Sequence, residues 1–183
     1  MLRVLVCSLM LFIVAVTNVP ADQRDPRLDA LFQGLQETRD PDALRRLEAD
    51  IWTIWLDSGR EEVDTLMEAG VAAMGRDDLD TALARFREIT ELAPGFAEGW
   101  NKRATVYYLR DELAASVRDI QRTLDLEPRH FGALSGMGLI FMKLGDTAGA
   151  IEAFRGVLEI HPHSPSARAH IDFLSEQLED DVI

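Results

Sequence analysis

Apolar residues recur along this chain in a helical rhythm, and from residue 61 onward the rhythm itself repeats. After a short polar linker over residues 22–26, Leu28, Leu31, Phe32 and Leu35 follow the i, i+3, i+4, i+7 spacing of one helix face. Arg39-Asp40-Pro41-Asp42 interrupts that helix, with Asp40 suited to cap the next one and Pro41 to stand at its first position. The second helix is predicted over about residues 42–56, with Leu44, Leu47, Ile51, Ile54 and Trp55 facing inward, and Ser58-Gly59 ends it. Beyond this hairpin the pattern predicts paired helices. The first of each pair falls near 63–74, 96–109 and 131–144, and the second near 79–92, 113–126 and 147–160. Gly145-Asp146 marks the last internal turn, glycine closing one helix and aspartate capping the next. Ser164-Pro165 opens a final helix whose Ala167, Ile171, Leu174 and Leu178 face one way, while Arg168, Glu176, Glu179 and Asp180 stay in water.

The repeat has a fixed length. Pro94, Pro128 and Pro162 stand 34 residues apart; so do the small residues Ala82, Ser116 and Ala150, and the bulky Phe86, Ile120 and Phe154. A period of this size marks a solenoid of helical hairpins. One such hairpin cannot bury its apolar face alone, so its stability is shared with its neighbours, and a terminal helix with a polar face keeps the open end soluble. The expected fold is all-α: a helical-hairpin solenoid with an N-terminal helical cap and a C-terminal capping helix.

The repeating residues resemble a known family. Trp100 to Tyr107 is similar to the first helix of a tetratricopeptide repeat, and Ser116, Ile120, Thr123 and Pro128 continue the unit. Leu134, Gly138, Phe141, Ala150, Phe154 and Pro162 carry the resemblance in the next unit. Leu66, Gly70, Ala73, Ala82, Phe86 and Pro94 carry it in the one before. The division that follows is a signal peptide at 1–21, a helical hairpin at 22–60, repeats at 61–94, 95–128 and 129–162, and a capping helix with an acidic tail at 163–183. The chain as a whole also resembles small secreted repeat proteins of alphaproteobacteria.

In this packing Gly70, Ala104 and Gly138 let the two helices of a repeat approach closely, and Trp100, Phe86, Tyr107, Phe141 and Phe154 fill the space between hairpins. Trp52 and Trp55 are expected to pack the N-terminal hairpin against repeat one. Arg103 is expected to form an internal ion pair with Asp119 or Glu98.

The resemblance implies a concave groove lined by the first helix of each repeat. Its open positions are Asp64, Met67, Val71 and Met74, then Glu98, Asn101, Thr105 and Tyr108, then Gly132, Ser135, Leu139 and Met142. Such a groove is mildly apolar and adaptable, with Tyr108 and Asn101 as anchors for a partner protein or peptide. Some members grip a C-terminal carboxylate with lysines, an arginine and asparagines. Here Asn101 alone is suitably placed, Asp64 stands where a cation is needed, and repeat three offers only Lys143.

Charge and composition narrow the partners. The net charge of −13 repels phosphate backbones and anionic lipid surfaces, which argues against nucleic acid and membrane binding. Arg3, the apolar stretch from 4 to 16 and the small residues before Asp22 read as an export signal cleaved before Asp22, giving a periplasmic or secreted protein. The alternative is an uncleaved inner-membrane anchor. Cleavage removes Cys7, the single cysteine, so no disulfide is expected. His161 and His163 flank Pro162 in a loop without metal-ligand spacing. Nucleophile elbows, phosphate-cradling glycine loops and zinc-protease motifs are absent, so neither an enzyme nor a cofactor is expected. The expected role is an exported adaptor that binds another envelope protein or a peptide. The alternative is a self-associating structural component, a homo-oligomer without a peptide ligand.

Overall fold

The computed structural model describes residues 22–180, all of whose regular elements are helices. Residues 1–21, expected to be an export signal, and residues 181–183, at the end of the expected acidic tail, lie outside the described residues. In chain order the elements are α1 (Arg27–Glu37), α2 (Pro41–Leu56), α3 (Glu61–Gly75), α4 (Leu79–Leu92), α5 (Ala97–Leu109), α6 (Leu113–Leu126), α7 (Phe131–Leu144), α8 (Thr147–Ile160) and α9 (Pro165–Asp180). Helices α3 to α8 form three consecutive hairpins, and α9 packs on α8 as the start of a fourth.

The turn inside each repeat is the same structure built from different residues. Asp77, Asp111 and Gly145, again 34 apart, adopt left-handed φ values of 60°, 64° and 74°. Their amides donate to the carbonyls of Met74, Tyr108 and Met142, and the next amides donate to Ala73, Tyr107 and Phe141. This paired bonding satisfies the carbonyls left open where the first helix stops. Asp78 and Asp146 then cap the second helix by accepting from the Thr81 and Gly149 amides; Glu112 makes no such side-chain bond.

Close packing within a repeat is a matched exchange of volumes. A methyl group added at Gly70 would come within 2.5 Å of the Phe86 ring, and one at Gly138 within 2.7 Å of Phe154. In repeat two the smaller Ile120 replaces the aromatic, and Ala104 fits where glycine stands elsewhere. The Ser116 hydroxyl donates to the Ala104 carbonyl over 2.8 Å, which answers the polar group that serine brings into the core.

The ion pair expected of Arg103 forms with Asp119. The guanidinium donates from Nε and Nη2 to the two carboxylate oxygens at 2.7 and 2.9 Å, and from Nη1 to Thr90 Oγ1 at 2.6 Å. One side chain thus ties α5 to α6 and to α4 of the preceding repeat. Its bonds to Asp119 raise its pKa further above its already high ordinary value. Trp100, expected in the core, lies half-buried instead. Its indole N–H donates to the Pro94 carbonyl, and Arg103 and Arg122 cover its ring at 4.7 and 5.9 Å.

The N-terminal hairpin departs most from expectation. Trp52 and Trp55 do not pack on repeat one. They join an apolar cluster that unites α1 and α2 with α7, α8 and α9, while repeat one has a separate core around Phe86 and Met67. The Asp57–Arg60 linker turns at Gly59, φ 69°, and carries the hairpin across the array towards its far end. Its contacts with repeat one are local: Leu56 touches that core, and Asp64 accepts from the Ser58 amide and hydroxyl at 2.8 and 2.6 Å.

Candidate functional site

The hairpin crosses the edge where the inter-repeat turns meet the first turns of α5 and α7. Gln23 holds its beginning, donating to the Gly95 carbonyl and accepting from the Ala97 amide. Arg129 in the turn before α7 bonds Asp29 at 2.7 Å and lies over the Phe32 ring at 4.3 Å. Further along, Trp55 stacks on His130 with ring centroids 4.0 Å apart and planes 9° from parallel. Trp52 presses edge-on against His130 and Phe131 and fills the space above Gly132, where a methyl group would lie 2.7 Å from its ring. Glu48 meets His161 across 2.7 Å, joining residues 113 positions apart.

Beneath the tryptophans lies a closed polar group. Glu98 is 1% exposed; its Oε2 meets His130 Nε2 and the Asn101 amide, each at 2.9 Å, and its Oε1 faces Lys102 Nζ at 3.0 Å. His130 Nδ1 accepts the Ala133 amide, so Nε2 carries the proton and donates to the carboxylate. Burial alone pushes Glu98 up, but the His130 hydrogen bond and the charge of Lys102 outweigh it and hold the acid below its ordinary range. At the other end of the seam burial raises Glu48, while burial and then the charge of His163 lower His161.

These contacts redistribute the residues expected to line the groove. Met67, Glu98 and Asn101 are buried, Met67 in the repeat-one core and the other two in the group under the hairpin. Asp64 is engaged by Ser58, Val71 is 44% exposed, and Met74 packs partly on the repeat-one core. Met142 packs against the cluster shared by the hairpin and α7–α9. None of these except Asn101 borders an open cleft with the remaining residues. Asn101, Thr105, Tyr108, Gly132, Ser135 and Leu139 do come together, with Ala104, Ser116, Ile120 and Gly136, around a cleft of about 170 Å³ between α5, α6 and α7.

The cleft walls are mainly apolar, with the Thr105, Tyr108 and Ser135 hydroxyls at its sides. Thr105 already donates to the Asn101 carbonyl, and Lys143 stands 5.3 Å over the Tyr108 ring while bonded to Asp111. Gly132 and Asn101 mark the end closed by Trp52, so the groove is blind on that side. Sequence reasoning had missed this closure. The signal for it was Gly132, a residue without a side chain where the neighbouring repeats carry Asp64 and Glu98. Among the described residues no group of three or more His, Cys, Asp or Glu side chains is arranged to hold a metal ion, and no helix is long and apolar enough to cross a membrane.

Three stacked hairpins with one shared turn, one matched small-to-large packing and a cleft between their first helices define a helical-repeat scaffold. The chain belongs to the tetratricopeptide repeat proteins. Residues 110–165 match the family described as Tetratricopeptide repeat. A TPR repeat-containing protein of Rhizobium etli is 35% identical over 170 residues, which span 90% of this chain and 83% of that one. The crystal structure of the Sgt2 TPR domain from Aspergillus fumigatus superposes with a TM-score of 0.62 at 22% identity, covering 67% of this chain and 82% of that domain. The first TPR of Spaghetti (RPAP3), bound to the HSP90 peptide SRMEEVD, gives a TM-score of 0.62 at 20% identity, with 65% and 94% covered.

Proposed function

We propose that this protein is an exported adaptor that holds a partner protein or peptide in the cleft between α5, α6 and α7. The observation that carries the reading is the convergence of Asn101, Thr105, Tyr108, Ser135 and Leu139, drawn from two repeats, on one apolar hollow with hydroxyls at its sides. A site of that kind gains affinity from apolar burial and orientation from a few polar groups. The Spaghetti domain, which shares the fold, holds an HSP90 peptide. The ligand here differs from a carboxylate tail: Lys102 is committed to Glu98 and Lys143 to Asp111, so the cleft offers no free cation to clamp one. Export rests on the N-terminal sequence, and it places the partner among envelope or secreted proteins.

A photo-crosslinking residue in place of Tyr108, used in the source cells, tests the reading. One partner should be captured, and Leu139→Asp should abolish the capture while leaving the helical content unchanged. Capture that survives Leu139→Asp in a folded protein would reject the cleft. A second reading, self-association, is favoured by Phe173 and Leu178, which stand 52% and 41% exposed on the terminal helix α9. Light scattering over a range of concentrations separates the two, because only self-association yields a particle larger than one chain.

A further inference from the structure

We infer that the surface under the N-terminal hairpin is itself a recognition site for an amphipathic helix, at present filled by the chain's own α2. The seat is formed by Lys102, the buried Glu98–His130 pair, Phe131, Gly132 and His161, and it does not rest on the cleft being a binding site. What occupies it shows the chemistry it accepts. Glu48, Trp52 and Trp55 stand at i, i+4 and i+7, hence on one face of α2. The acid meets His161, one tryptophan fills the hollow over Gly132 beneath Lys102, and the other stacks on His130. This is the helix-in-groove mode, read as anchors at successive turns.

Two observations mark the occupant as separable from the first repeat. The hairpin is joined to repeat one by the Asp57–Arg60 linker and shares no more than the fringe of that repeat's core; its buried contacts are with α7, α8 and α9, so its departure uncovers that cluster and leaves the core of repeat one in place. The fit is also incomplete on the seat's own side: His161 Nδ1 is buried at the seam without a hydrogen-bond partner. A buried polar group left unpaired costs free energy that a ligand supplying the missing partners recovers. The occupant we commit to is a partner helix with two aromatic residues one turn apart and an acidic residue one turn before them. It displaces α2 and takes its place.

A synthetic peptide with the sequence of residues 41–56 serves as the probe, and amide hydrogen exchange of the full chain as the readout. The wild-type hairpin should exchange by its own opening, faster than α4, α6 and α8, as expected for a separate cooperative unit. Excess peptide should speed exchange in the hairpin and leave protection at residues 130–133 unchanged. The peptide should bind the Trp52→Ala chain at least tenfold more tightly than the wild type, because self-occupancy lowers apparent affinity. A peptide with both tryptophans replaced by alanine should bind neither. If Trp52→Ala does not fold, the wild-type exchange data decide alone. A common exchange rate for hairpin and repeats, a peptide that binds neither chain, or a dimer with exchanged hairpins would each overturn the inference.

Discussion

The joints inside the repeats and the seam beneath the hairpin are made differently. Inside the repeats, a glycine or alanine meets a ring or an isoleucine, and the polar groups that enter the core, Ser116 and Asp119, are bonded. At the seam two tryptophans lie on an imidazole, and ionisable side chains are buried under them. The buried side-chain polar atoms found without a hydrogen-bond partner among the described residues, Trp55 Nε1, Glu98 Oε1 and His161 Nδ1, all lie there; Glu98 Oε1 has only the charge of Lys102 nearby. Repetition explains the contrast. A joint used three times is one solution in volume and shape, whereas the seam joins unlike surfaces once and relies on charge and aromatic contact to do so.

The largest test of this contrast is a core truncation. Phe86→Ala removes a fully buried ring that faces Gly70, which has no side chain to fill the space. It should cost about 3–5 kcal/mol and lower the denaturation midpoint of the repeats as a unit. Trp100→Ala, though it deletes a larger ring, should cost only about 1 kcal/mol, mainly the cation–π contacts with Arg103 and Arg122. Equal losses in denaturant unfolding would mean that ring size, and not placement in the joint, sets the stability.

A pH titration separates seam from joints with a smaller effect. His161 has a folded pKa below its ordinary value, so the folded chain keeps it neutral where the unfolded chain would charge it. Stability is therefore lost as pH falls below about 6.5 and continues to fall to the folded pKa. Glu98, held low, adds a loss as pH drops through the carboxylate range. Glu48, raised by burial, acts in the opposite sense: its protonated form is favoured in the fold, and its contribution disappears as pH rises. From about pH 6.5 down to the carboxylate range the His161 loss should set the slope. Thermal unfolding of His161→Asn should show a flatter profile over that window, and an unchanged slope would remove His161 from the account.

The difference in construction also governs how much was legible in the sequence. Helix bounds in the repeats followed from period and small-residue phase because each position is constrained by the same neighbour geometry three times. The final helix and the hairpin's own two helices were legible for the same local reason, apolar spacing and Asp40-Pro41. Where the hairpin docks was not legible. Trp52 and Trp55 announce burial but not against what, and only the linker's path and the curl of the array bring them to His130. For the same reason Glu98 and Asn101 read as open groove positions. Their phase is right, and what covers them arrives from a segment some 50 residues earlier. Thr105, Tyr108, Ser135 and Leu139 lie beyond its reach, so phase and exposure agree there.

The smallest expected effect lies in the shared turn. The left-handed position is filled by glycine in repeat three and by aspartate at Asp77 and Asp111 in the other two. An L-residue with a β-carbon adopts that conformation at a cost, less for aspartate than for most, and glycine adopts it freely. Asp111 also bonds Lys143 at 2.7 Å, so replacing it would mix two effects. Asp77 is exposed, and its amide bond to the Met74 carbonyl does not involve the side chain. Asp77→Gly should therefore stabilise the chain by about 0.5 kcal/mol, the relief of backbone strain exceeding the added freedom of the unfolded chain. Because the turn belongs to the array, hydrogen exchange should slow in α3 and α4 while the hairpin's local opening is unchanged. A gain in hairpin protection of equal size would show that hairpin and repeats open together, and the distinction between joint and seam would fail.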